Sequence, residues 1–180
     1  MTIKEISKET FSHKRLWFTN YINKNMYSGS VIDQNTTLII NRDQILVESF
    51  NQFATTGDLD LKKGMQIFFI DEVAQDTGGV YREWYTNLFS EIFSEEQQFF
   101  KQIINKKYGK QTYFFADSLP IHHELEYQEY YSFIGKILAK AIFDKIILQI
   151  DLNLIILKKI LDLPICLNDI KFLDYQVSNI

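Results

Sequence analysis

The stretch from Met65 to Phe93 restricts the folds open to this chain more than any other. Residues 65–70, Met-Gln-Ile-Phe-Phe-Ile, are apolar, aromatic or β-branched apart from Gln66. A run this short, closed by a turn, predicts a strand buried on both faces. Asp76-Thr77-Gly78-Gly79 follows and supplies two residues free to take positive φ. From Val80 the apolar positions 80, 84, 88, 92 and 81, 85, 89 recur at helical spacing, so a helix starts at the glycines and lays a broad aromatic face on a core. Glu83 in its first turn suits the helix dipole. Arg82 opposes it, which predicts a carboxylate partner nearby, Asp76 or Glu72.

The remainder of the chain has the means to enclose such a unit. With 180 residues, 46% hydrophobic and 15% aromatic, it is about one domain, long enough to bury roughly 70% of its unfolded surface. A net charge of −4 with scattered lysines argues against nucleic acid or an anionic membrane surface as the main partner. One cysteine rules out an intrachain disulfide framework and fits a reducing compartment, cytoplasm or nucleus. Residues 1–9 alternate charge with single apolar residues and hold no run suited to a signal peptide or a membrane span.

In chain order, Ser12 is a cap for a first helix that would bury Trp17, Phe18, Tyr21, Ile22 and Met26. Residues 27–37 are dense in turn formers, which divides the chain into an N-terminal helix with its connector (1–37) and a compact lobe (38–180). Leu38-Ile39-Ile40 is a strand, and Asn41 or Asp43 starts a helix with Ile45, Leu46, Ser49, Phe50 and Phe53 on one side. Ser94-Glu95-Glu96 caps a short turn, Tyr108-Gly109-Lys110 turns the chain, and Thr112–Phe115 forms the far half of a small hairpin. Positions 130, 133, 134, 137, 138, 141 and 142 make a wide apolar helix face, where Gly135 and Ala139 would admit another backbone. Asp151 would cap a further helix carrying Leu154, Ile155, Lys158 and Leu161, stopped by Leu163-Pro164. Asn168 opens the last segment, which carries more apolar residues than a solvated tail and predicts an uncovered apolar patch near the C-terminus. The fold class is α+β, mainly helical.

The pattern Asp71-Glu72, Asp76-Thr77-Gly78-Gly79-Val80, Arg82-Glu83-Trp84-Tyr85 resembles the hallmark of the N-terminal lobe of HECT ubiquitin-protein ligases. Arg42–Ser49 and Tyr130–Asp144 resemble two further segments of that lobe, in the family's order. The resemblance covers about residues 11–180 and is closest over 38–93 and 125–145. The chain departs from it where Ile70–Ala74 replaces the family's glycines, where the family's proline after Phe93 is missing, and where its asparagine-proline pair before Glu124 is absent. The resemblance implies an incomplete N-lobe whose structural signature is Asp76, Gly78, Gly79, Arg82, Glu83, Trp84 and Gly135. It further implies an enzyme that accepts ubiquitin from a conjugating enzyme onto a cysteine and passes it to a substrate lysine, with no cofactor. On that reading the conjugating-enzyme docking subdomain and the cysteine lobe lie beyond Ile180, so this chain supplies scaffold and is inactive alone. The alternative is a non-catalytic module that keeps the lobe fold and binds ubiquitin or another partner.

Cys166 is the obvious nucleophile to weigh. By the resemblance, Pro164-Ile165-Cys166-Leu167-Asn168-Asp169 stands where relatives carry a structural threonine. Flanked by Ile165 and Leu167, with no base or cation beside it in sequence, Cys166 reads as an inert packed thiol, and a stand-alone enzyme using it is the least supported reading. His122-His123 beside Glu124 and Glu126 lacks a second ligand pair, so a solvated loop is favoured over a metal site. Gly78-Gly79 lacks both the lysine of a phosphate loop and the third glycine of a dinucleotide site, which leaves a tight turn. Asp71, Glu72 and Asp76 lie close together as an acid–base pair would, but helix capping and pairing with Arg82 explain them as well. Tyr108, Tyr113 and Phe114 fall where some HECT ligases bind a second ubiquitin; the competing reading is a hairpin packed on the lobe.

Overall fold

A computed structural model describes residues 3–26, 36–55, 60–72, 78–105, 110–117 and 124–173. The elements are α1 (Ile3–Ile6), α2 (Phe11–Met26), β1 (Thr36–Ile40), α3 (Ile45–Thr55), β2 (Met65–Phe69), α4 (Gly79–Ile92), β3 (Phe100–Asn105), β4 (Lys110–Phe115), α5 (Glu124–Phe143) and α6 (Leu154–Ile160). Short 3-10 turns precede α3 (Arg42–Gln44) and β2 (Asp60–Lys62), and a longer one follows α6 (Leu167–Phe172). The fold is α+β and mainly helical, with two small sheets.

β1 and β2 pair in parallel, Leu38 opposite Ile67 and Ile40 opposite Phe69, which requires a crossover, and α3 provides it. β2 alternates: Met65, Ile67 and Phe69 are buried, while Phe68 is exposed and Gln66 half-buried. The expectation of a strand buried on both faces is therefore corrected. Helices cover one face of the pair only, so the period-two side chains divide between core and solvent. The free side of β1 is met by a side chain, Gln52, whose Nε2 donates to the Ile39 carbonyl at 2.6 Å while its Oε1 accepts from the Ile39 N–H at 3.1 Å.

The core lies where α3, α4 and α5 meet this sheet. α4 buries Trp84, Tyr85, Leu88, Phe89 and Ile92, as its spacing predicts. Each such side chain contributes about 1.5–3 kcal/mol relative to remaining in water. α3 buries Ile45, Leu46, Ser49 and Phe53, and α5 adds Phe133, Ile134, Ile137 and Ala141. Asn41 caps the turn into α3, its Oδ1 accepting from the Asp43 N–H at 3.0 Å, so the helical run starts where the sequence places it.

β3 and β4 form the expected antiparallel hairpin, with Phe100 opposite Phe115 and Gln102 opposite Tyr113. The turn residues Tyr108 and Gly109 lie outside the described residues. The hairpin is joined to the following helix through Asn153, whose N–H donates to the Tyr113 carbonyl at 2.8 Å.

Several expectations are overturned. α2 forms from Phe11, yet Phe18 and Tyr21 are exposed, Trp17 is half-buried and Ile22 is the buried one among the expected residues whose side chains are described. Helical spacing sets which residues share a face but not what that face meets. Gly135 and Ala139 are exposed, and nothing lies within 4 Å of a Cβ built on Gly135, so no second backbone approaches there. Asn153, not Asp151, caps α6, with Oδ1 accepting from the Ile155 N–H at 3.0 Å. The helix also ends before Leu163-Pro164, at a left-handed Asp162 (φ 51°).

Candidate functional site

Of the signature residues, Gly78, Gly79, Arg82, Glu83 and Trp84 stand at the N-terminal end of α4, and Gly135 stands on α5. Gly78 takes φ 90°, a conformation that side-chain-bearing residues rarely adopt, and Gly79 is the first helical residue. The left-handed glycine is thus Gly78, and Gly79 is already helical. Asp76 and Thr77 lie outside the described residues.

The ion pair expected for Arg82 is made by Arg42 instead. Arg42 reaches from the turn after β1, bonds both carboxylate oxygens of Glu72 and donates Nη1 to Glu83 Oε1 at 2.7 Å. Its guanidinium lies 3.8 Å from the centre of the Phe69 ring. One planar cation thus fastens the end of β2, the start of α3 and the first turn of α4, a task suited to arginine's fork of donors. The hydrogen bonds from Arg42 hold the Glu72 carboxyl below the usual carboxylate range. Among the described residues Arg82 forms no ion pair; Glu72, one of its two expected partners, is taken by Arg42.

Deeper in, Trp84 Nε1 donates to Ser49 Oγ at 3.0 Å, with both residues fully buried. Lys140, buried on α5, donates Nζ to the Lys63 carbonyl at 2.8 Å and to Asp144 Oδ1 at 2.9 Å. Asp144 Oδ2 accepts from the Tyr81 hydroxyl. Burial first, then the neighbouring Tyr85 and Asp144, push the Tyr81 phenol far above its usual range. This chain joins α4, α5 and the approach to β2, and each buried polar atom in it finds a partner, as burial requires. Sequence inspection missed Arg42, Lys140, Asp144 and Asn153 as organising residues. Lys140 and Asp144, one helical turn apart within an apolar run, were the available signal.

Cys166 is an exposed thiol, not a packed one. It sits at the head of the 3-10 turn, where its N–H donates to Asp169 Oδ2 at 2.8 Å. Asp169 also holds Lys158, with Nζ to the two carboxylate oxygens at 2.8 and 2.7 Å. The Cys166 N–H first, then Lys158, keep the Asp169 carboxyl below its usual range. Of the hairpin aromatics, Tyr113 and Phe114 are half-buried, and Tyr113 packs edge-on against Phe93 at 4.6 Å. Tyr108 lies outside the described residues, as do His122 and His123. Among the described residues no group of three or more His, Cys, Asp or Glu side chains is placed to hold a metal ion.

Comparison with known proteins decides the family. The HECT-domain (ubiquitin-transferase) profile matches residues 86–179, which is more than half of the chain. This chain belongs to the HECT family. The HECT match starts within α4 and runs through the hairpin, α5, α6 and the 3-10 turn, so the segment between Phe93 and Glu124 that departs from the family's motifs is inside it. The glycine turn lies just before it.

Individual relatives point the same way. The chain is 26% identical, over 91% of its length, to the probable E3 ubiquitin-protein ligase TOM1 of Eremothecium gossypii, of which it covers 5%. It is 29% identical over 75% of its length to E3 ubiquitin-protein ligase UPL2 of Arabidopsis thaliana, covering 4% of that protein. It is 30% identical over 77% of its length to the probable E3 ubiquitin-protein ligase mug30 of Schizosaccharomyces pombe, covering 16% of it. The chain therefore spans a small part of the HECT relatives it matches.

Proposed function

We propose that this chain is N-lobe scaffold of a HECT ubiquitin-protein ligase, whose complete form accepts ubiquitin from a conjugating enzyme as a cysteine thioester and transfers it to a substrate lysine. Residues 38–180 form the lobe part and residues 1–37 lead into it, in the cytoplasm or nucleus. The observation that carries the reading is the family match over residues 86–179.

The chain's own chemistry is consistent with a supporting role. A thioester nucleophile needs thiolate character, supplied by a nearby cation, base or helix N-terminus. Cys166 is accessible, but the 3-10 turn it heads is only six residues long, and the cation reached through its hydrogen-bond chain, Lys158, is already committed to Asp169. The lobe contributes rigidity: Arg42, Lys140 and Ser49 tie three helices to one sheet around Trp84.

The test is a charging assay with activating enzyme, a panel of conjugating enzymes and ubiquitin, read on non-reducing gels. No ubiquitin adduct on this chain is expected. A reducible adduct on the wild-type chain that disappears in Cys166→Ser would overturn the scaffold reading.

A second reading, direct ubiquitin binding without catalysis, draws support from the half-exposed Tyr113 and Phe114 on the hairpin, with Tyr108 beside them in sequence. Titration of labelled chain with ubiquitin should then shift hairpin resonances, and Phe114→Ala should abolish the shifts. No shifts at millimolar ubiquitin would remove this reading.

A further inference from the structure

Arg82 stands in the first turn of α4 and, among the described residues, has no carboxylate partner; it borders a groove of about 680 Å3. The floor is aromatic, with Tyr85 and Phe89 from α4, Phe93 just after it and Tyr113 from β4. The opposite wall is the segment that follows α5, Lys145 to Ile150. We propose that this groove binds an extended acidic peptide, which adds as a strand along residues 146–150.

Two independent observations carry this. The first concerns the backbone. Burial along the wall alternates with the period of a strand: Ile146, Leu148 and Ile150 are half-buried, while Ile147 and Gln149 are exposed. Just beyond it, Leu152 forms a parallel bridge with Tyr113, so the segment runs into sheet pairing at its far end. Among the described residues, the N–H and C=O groups of 147–150 have no hydrogen-bond partner. A row of unpaired backbone groups beside an apolar floor is the arrangement that strand addition uses: main-chain bonds give affinity and pockets on alternate side chains give selectivity.

The second concerns charge. Among the described residues, Arg82 and Lys145 are the charged ones lining the groove and no carboxylate lines it, on a chain whose net charge is −4. Lys145 donates to Asn23 Oδ1 at 2.9 Å, a neutral partner that leaves its charge uncompensated. A basic peptide would meet two like charges here; an acidic one meets complementary charge, which selects partner and orientation.

The probe is a fluorescein-labelled octapeptide, Glu-Glu-Thr-Val-Thr-Val-Thr-Glu, titrated with the 180-residue chain and read by fluorescence anisotropy. Saturable binding is expected, weakened by about tenfold or more when the three glutamates are replaced by lysine. Two N-methylated versions, blocked on odd or on even residues, separate strand addition from simple groove filling: one should lose binding and the other keep it. Arg82→Glu combined with Lys145→Glu, both exposed positions, should reverse the preference and favour the lysine peptide, which also shows that the variant is folded. No saturable binding, equal binding of the two N-methylated peptides, or an unchanged charge preference in the double variant would each overturn the proposal.

Discussion

The indole N–H of Trp84 and the hydroxyl of Ser49 meet at 3.0 Å in the most deeply buried part of the molecule. The bond ties α3 to α4, and the hydroxyl supplies the one acceptor an indole surrounded by Phe53, Tyr81 and Tyr85 rings would otherwise lack. Ser49→Ala leaves that donor buried and unpaired, at a cost of about 1–3 kcal/mol. The midpoint of urea unfolding, followed by tryptophan fluorescence, should fall accordingly. An unchanged midpoint would show that the hydroxyl does not hold the indole.

The two arginines should behave oppositely. Arg42→Met is expected to lower the Tm, because it leaves Glu72 and Glu83 facing each other without the cation between them; Arg82→Met should leave the Tm unchanged. The pH dependence has a definite sign. The folded-state pKa of Glu72 is depressed by Arg42, so its contribution is present above the unfolded carboxylate range and is lost as pH falls through the folded value. Thermal melts across the acid range should therefore show a shallower loss of Tm in Glu72→Gln than in wild type. Equal slopes would remove Glu72 from the acid response.

Lys140 is the cation whose loss the fold should tolerate least. Lys140→Met strips the half-buried Asp144 carboxylate of its counter-charge, at a cost below the about 3–5 kcal/mol of breaking a fully buried pair. Tyr81, bonded to the same carboxylate, has a raised folded-state pKa, so the stability it contributes is present below the unfolded tyrosine pKa and falls away at more alkaline pH. In a spectrophotometric titration Tyr81 and Tyr85 should ionise only as the protein unfolds. Full titration of the native tyrosines would contradict this burial.

The glycine pair separates cleanly. Gly78→Val forces a β-branched residue into φ 90° and should destabilise by about 1–3 kcal/mol. Gly79 is already helical and has open space around a built Cβ, so Gly79→Ala should be neutral or stabilising by a few tenths of a kcal/mol, about the lower end of the glycine-to-alanine helix difference. Chemical denaturation of the two variants side by side checks the assignment; equal losses would mean that Gly79, not only Gly78, is conformationally constrained.

The apolar patch expected on the segment from Asn168 is not found where that segment is described, since Ile170, Phe172 and Leu173 are half-buried; exposed apolar side chains stand instead along α6 and just after it. Leu157, Ile160, Leu161, Leu163, Ile165 and Leu167 are all exposed, Leu167 by 85%. Apolar exposure of this extent should bind a hydrophobic dye in the native state. Ile160→Lys with Leu167→Lys should remove most of the dye signal without lowering the Tm. Dye binding that persists in the double variant would place the apolar surface elsewhere.

Local pattern alone determined much of this protein. The period of Val80–Ile92 predicted α4 and its buried face, Asn41 announced the entry to α3, and the apolar runs at 38–40, 65–69 and 112–115 became strands, because hydrogen-bond geometry and side-chain period are properties of a few consecutive residues. Which face a period presents to solvent, and which charge meets which, were decided only by the tertiary structure. Among the described residues, α2 has an apolar stripe yet meets little that would cover it, and β2 is buried on the one face where helices pack. Arg82 and Arg42 are indistinguishable as local signals, but β1 and β2 lie side by side, so Arg42, just after the first, reaches Glu72, just after the second, across 30 residues of sequence. Lys140 reaches the Lys63 carbonyl across 77. The free energy of such pairs depends on distance and burial, which are set by the packing of whole elements and not by the residues on either side.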